Sequence, residues 1–126
     1  MSDKLDVVGI GNAMVDAIIP SNQSEIGKHE INRDSMNLID ENLKNNLHES
    51  YSIREMAGGG SLGNSMFGIT SFGGNGSFIG KIKNDEIGVY LQKDMMREGL
   101  KFPLGFTSPD ISTGCCTIFV EEDGTR

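Results

Sequence analysis

Two glycine-rich segments and one carboxylate in apolar company carry the chemistry that this sequence offers. The first segment, Gly9-Ile-Gly11-Asn-Ala-Met14, begins like a dinucleotide-binding turn after a strand. Met14, however, stands where a third glycine must let helix and strand close together. The second, Gly58-Gly-Gly-Ser-Leu-Gly63-Asn64-Ser65, has the spacing of a phosphate loop, with Asn64 in place of the lysine that reaches the β- and γ-phosphates. A neutral loop of this kind suits a neutral polyol. Glycines let main-chain groups approach a ligand closely, Asn64 offers a donor and an acceptor, and an ionised Asp16 only accepts. Asp16 lies inside the run AMVDAII, where a carboxylate is costly to bury unless something hydrogen-bonds to it. For Gly59 and Gly60 a tight strand-to-helix turn explains the residues as well as a ligand does. For Asn12, turn stabilisation and ligand contact stand level.

These residues need elements to hold them. Leu5 to Ile10 reads as a buried strand opening into a turn, which residues 13 to 19 extend. Residues 21 to 35 read as an exposed hairpin or loop. Leu38, Ile39, Leu43 and Leu47 recur at helical spacing, predicting a surface helix over 38–49. After an extended piece over 52–56, the glycine loop leads into a buried helix following Ser65, which Gly73-Gly74 ends. Residues 77 to 80 form the next strand. Asp85 opens a second helix, whose stripe of Ile87, Tyr90, Leu91 and Met95 runs to Gly99. Residues 102 to 126 carry two β-like stretches, the better one Thr113 to Val120, followed by a turn at Glu122-Asp123-Gly124. Alternating strand and helix predicts an α/β fold with a parallel sheet. The turn at Asp123-Gly124 lacks a return strand, so the expectation is a single incomplete α/β domain over 1–126.

Composition narrows the partners. With 11 basic and 18 acidic residues the formal net charge is −7, which argues against a general nucleic-acid binder. No run approaches the ~20 apolar residues that span a bilayer, so no membrane partner is expected. The start, Met1-Ser-Asp-Lys-Leu-Asp, carries no leader pattern. Cys115 and Cys116 are adjacent, which argues against a disulfide between them, and the thiols and acidic balance point to a reducing cytoplasm. His29 and His48 are isolated and read as solvated surface residues, leaving no metal site. Nine of the 17 glycines fall between Gly58 and Gly80, where function is expected to concentrate.

Three segments taken together resemble the ribokinase-like carbohydrate and nucleoside kinases, the PfkB group. They are Asp6-Val-Val-Gly-Ile-Gly-Asn-Ala-Met-Val-Asp16, Gly59-Gly-Ser-Leu-Gly-Asn64-Ser65 with Gly73-Gly74, and Phe78-Ile-Gly-Lys-Ile-Lys-Asn-Asp-Glu-Ile-Gly88. The tail from Thr113 to Arg126 is similar to a strand and turn of the same family, and the Gly-Asn-x-x-x-Asp opening is most similar to the adenosine-kinase-like sugar kinases. The resemblance implies the N-terminal part of a ribokinase-like, Rossmann-like parallel-sheet domain with a small β-sheet lid, formed by about 17–35 and 100–120. It implies that Asp16 and Asn64 bind sugar hydroxyls, that Gly59, Gly60 and Ser61 offer the main chain of the glycine turn, and that Asn12 supports Asp16 or touches the ligand. Cys116 or Ile118 would line the lid. The implied reaction is transfer of the ATP γ-phosphoryl group to a primary hydroxyl with Mg²⁺. The family's Gly-Ala-Gly-Asp turn, with its catalytic base and anion hole, has no counterpart here, so no catalytic residue is expected in this chain. ATP and Mg²⁺ would be held mainly outside it. The alternative is a non-catalytic sugar- or nucleoside-binding fragment, or one that self-associates through the lid or an open sheet edge as a homo-oligomer.

Overall fold

The computed structural model describes residues 4–126; Met1 to Asp3, on which the reading of a leaderless start falls, lie outside the described residues. In chain order the elements are β1 (Val7–Ile10), β2 (Met14–Pro20), α1 (Gln23–Gly27), α2 (Glu41–Ser50), β3 (Glu55–Gly59), α3 (Ser61–Ser71), β4 (Gly76–Ile79), α4 (Glu86–Arg97) and β5 (Gly114–Val120). β1 and β4 pair in parallel, with Val7 opposite Gly76 and Ile10 opposite Ile79. A second sheet has the order β3-β2-β5. The chain is thus mixed α/β with a parallel pair, as its alternation of strand and helix predicts. It divides into two compact units, Met1–Asp16 with Ala57–Cys115 and Ala17–Met56 with Cys116–Arg126.

In the first unit, period-two geometry turns Gly9 of β1 toward α3, where Leu62 and Met66 come so close that an added Cβ would lie 2.9 Å from the Met66 sulfur. Val8 and Ile10 take the opposite face and are 51% and 76% exposed. The expectation of a buried strand is therefore corrected: β1 pairs only with β4 among the described residues, and helix covers one face. The helix expected after Ser65 begins earlier, at Ser61, and is buried only at Gly63 and Met66. Gly73 adopts a φ of +88° just after its end. α4 follows the sequence reading closely. The Asp85 carboxylate caps it by accepting the Gly88 amide, and Ile87, Leu91 and Met95 are buried on one stripe. They join Phe78, Ile82 and Leu100 in the core. Of the two β-like stretches expected after Phe102, only β5 forms a strand. Before it, the Thr107 and Ser108 amides both donate to the Ile82 carbonyl, bending the chain away from a ladder.

The second unit is built on Ile19, Ile26, Leu47 and Phe119, with Leu43, Tyr51 and Ile53 packed against them. The exposed loop expected over 21–35 is corrected here. Asn22 and Glu25 form a reciprocal capping box that starts α1, and the core takes up Ile26. α2 starts at Glu41 behind an Asp40 cap rather than at Leu38, which is 91% exposed. Both histidines, expected to be solvated, are half-buried and bonded: His29 Nε2 is 2.8 Å from the Tyr51 hydroxyl, and His48 Nε2 is 2.8 Å from Thr117 Oγ1. Tyr51 meets Phe119 edge to face. Arg33 donates to both carboxylate oxygens of Glu121, at 2.8 and 2.6 Å. Cys115 and Cys116 are thiols, half-buried and not joined in a disulfide. No helix among the described residues is long and apolar enough to cross a membrane.

Candidate polyol site at the triple-glycine turn

Gly58, Gly59 and Gly60 join β3 to α3, and three separate constraints act on them. At Gly58 an added Cβ would lie 2.8 Å from the Phe67 ring and 3.0 Å from Asp94 Oδ2. At Gly59 it would lie 2.6 Å from the carboxyl carbon of Asp16 and 2.8 Å from its Oδ1. Gly60 is the N-cap of α3 with a φ of +80°, a backbone conformation that side chains disfavour. The glycines are thus required by close approach and by backbone conformation together.

Asp16 comes from β2, where Val15 and Ala17 are fully buried and Met14 and Asp16, at alternate positions, are half-buried. Its carboxylate rests on Gly59, and no protein donor bonds to it among the described residues. A half-buried anion without a protein partner is suited to a ligand's hydroxyl donors. Beside it, α3 opens with no side-chain cap, since Gly60 has none to offer, and no acidic residue occupies the first turn. Its first amides therefore carry the partial positive charge of a helix N-terminus. Ser61 is the first helical residue; its carbonyl accepts the Ser65 hydroxyl at 3.0 Å. Asn64, on the same turn, donates its amide to the Gly60 carbonyl at 3.0 Å and presents an exposed side chain. Asn12 is exposed in the β1–β2 connection, its carbonyl 3.8 Å from where a Gly60 Cβ would stand.

The fold therefore gathers Asn12, Asp16, Gly59 and Gly60 at one turn, with Ser61 and Asn64 on the helix that leaves it. Cys116 and Ile118 lie on β5 in the second unit, each half-buried. Sequence reasoning missed Met14, Phe67 and Asp94 around the turn. Asp94 accepts the Gly58 amide at 2.9 Å and pairs with Arg97, whose guanidinium that carboxylate raises above its ordinary pKa. The signal was present, for Asp94 interrupts the apolar stripe of α4 as Asp16 interrupts that of β2. The cleft of about 820 Å³ in the second unit, lined by Ile18, Arg54 and Glu121 among others, contains none of the expected site residues.

No protein-family model matches the chain, and no curated protein matches it. Solved structures do. One described as a "probable sugar kinase protein" from Rhizobium etli superposes with a TM-score of 0.79 at 31% identity, over 97% of this chain and 37% of its own. The adenosine kinase of Sinorhizobium meliloti gives 0.78 at 33% identity, over 95% of this chain and 37% of its own. The chain has the N-terminal part of the ribokinase-like fold. Anopheles gambiae adenosine kinase, solved with P1,P4-di(adenosine-5) tetraphosphate, shares that fold at 22% identity and a TM-score of 0.77, over 94% of this chain and 38% of its own. The ribokinase-like chain thus spans a little over a third of the length of the kinases that it matches.

Within this ribokinase-like part, the triple-glycine turn offers an acceptor at Asp16, main-chain donors at the start of α3 and a two-way amide at Asn64. Vicinal hydroxyls need that mixture. No cluster of three or more His, Cys, Asp or Glu side chains is placed to hold a metal ion among the described residues.

Proposed function

We propose that this chain is the substrate-side part of an ATP-dependent kinase that passes a phosphoryl group to a primary hydroxyl of a sugar or nucleoside. One observation carries the reading: the half-buried Asp16 carboxylate lies on Gly59 with no protein donor of its own, beside the uncapped start of α3. An ionised Asp16 accepts hydrogen bonds from ring hydroxyls, the first-turn amides at Ser61 donate to them, and Asn64 completes the contacts from the side. Asn12 borders the site from the β1–β2 connection. Their effect is to orient the polyol and to replace the water around its hydroxyls.

ATP would supply the phosphoryl group and Mg²⁺ would offset its charge. In this reading the main elements that hold ATP and Mg²⁺ lie outside this chain. This chain's part is therefore binding and orientation. A cytoplasmic setting belongs to the same proposal.

Calorimetric titration of the chain with adenosine, ribose and fructose, each against its deoxy analogue, tests the reading. Binding that weakens when a ring hydroxyl is removed supports it. Binding indifferent to every hydroxyl, or no binding of any polyol, overturns it.

A further inference from the structure

Asp94 is the second carboxylate in apolar company, and it differs from Asp16 in being fully engaged. It shares a face of α4 with Leu91 and Met95 and is 6% exposed. One oxygen accepts the Gly58 amide and the other is paired with Arg97, whose side chain is 66% exposed. A buried carboxylate is tolerated when its oxygens are satisfied, and removing it leaves the group that it holds without an acceptor. What Asp94 holds is main chain, one residue ahead of Gly59. Phe67 presses on the same residue, while Asp16 lies on the next.

We propose that Asp94 is a positioning residue for the polyol site. By holding the Gly58 amide from α4, it sets where the Gly59–Gly60 turn runs against the Asp16 carboxylate and where the amides of α3 open. The proposal rests on the reading of Asp16 as a hydroxyl-binding group, and its test separates the two. Arg97 balances the charge from the solvent side and is not needed for the Gly58 bond itself.

The experiment uses the 126-residue chain with Asp94→Ala, Asp94→Asn and Arg97→Ala. Adenosine and ribose are the probes in calorimetry, and amide spectra of Gly58 to Gly60 with the Asp16 carboxyl-carbon shift are the structural readout. Asp94→Ala is expected to weaken probe binding about tenfold, the scale of one lost charged hydrogen bond felt through the turn. It should also shift the Gly59, Gly60 and Asp16 signals. Asp94→Asn keeps an acceptor for Gly58 and should restore both readouts, and Arg97→Ala should leave both near wild type. Lowered Tm with undiminished probe affinity in Asp94→Ala would overturn the proposal. If the wild-type chain binds neither probe, the reading of Asp16 fails on its own account and the spectra decide on Asp94. Shifts that reach Gly59, Gly60 and Asp16 in Asp94→Ala but not in Asp94→Asn then sustain it, and shifts confined to Gly58 overturn it. Asp94→Leu, which keeps the branched shape of the side chain and lacks an acceptor, replaces Asp94→Ala if the cavity prevents folding.

Discussion

The carboxylate of Asp16 occupies the space that a side chain on Gly59 would need, with its carboxyl carbon 2.6 Å from the position of an added Cβ. The two residues are therefore matched across β2 and β3: the acid is held in place by the absence of a side chain opposite.

Gly59→Ala should cost about 1–3 kcal/mol of stability, the range for forcing extra volume into a packed place. Denaturant unfolding of the variant measures it. A midpoint equal to wild type would mean that Asp16 swings aside at no cost.

Asp16→Asn should behave in the opposite way. With no protein donor on the carboxylate among the described residues, Tm should change little, while affinity for a bound sugar or nucleoside falls by about 1.5–3 kcal/mol. Calorimetry and thermal melts on the same sample check both. Combined with Asn64→Ala, the losses should be non-additive if the two side chains grip the same hydroxyls.

Asp85→Ala should damage the fold rather than the site. Its carboxylate accepts the Gly88 amide at 2.7 Å, the Thr113 hydroxyl at 2.7 Å and the Thr113 amide at 2.9 Å, tying the start of α4 to the residue before β5. Losing an N-cap together with charged hydrogen bonds should lower stability by about 3 kcal/mol. An unchanged melt would refute the tether.

The purified chain should show no sugar-dependent ADP release with ATP and Mg²⁺ over a panel of sugars and nucleosides. Turnover above background in a coupled assay would place phosphoryl-transfer groups within these residues after all.

Val8, Ile10, Phe72 and Met96 are 51%, 76%, 94% and 64% exposed, and β1 pairs on one side only among the described residues. Self-association is the expected result. Sedimentation should find a dimer or larger species, and a sharp monomer at all concentrations would contradict it.

α4 was legible because every local signal agreed: an aspartate cap, an apolar stripe and a terminating glycine whose φ is +84°. The turn was legible for a similar reason, since three successive glycines announce a backbone that side chains would obstruct. α1 was not, because the buried Ile26 looks like an isolated apolar position until the Asn22–Glu25 box is recognised as a start signal. β1 was misread as buried because its composition describes a strand with two covered faces, and composition is silent on which face meets a helix. Asp94 escaped notice because a carboxylate on a helix ordinarily faces water, whereas this one reaches the Gly58 amide, distant in sequence.

The three glycines of the turn also differ in how a replacement could be rescued. Alanine at Gly58 meets the Phe67 ring and alanine at Gly59 meets the Asp16 carboxylate, so each has a compensating change in trimming that particular neighbour. Alanine at Gly60 has none, because its nearest atoms stand 3.5 Å or more away and the strain lies in its own positive φ. A selection for second-site revertants should therefore return smaller residues at Phe67 for the first lesion, shorter ones at Asp16 for the second at the expense of the ligand, and only true reversion for the third.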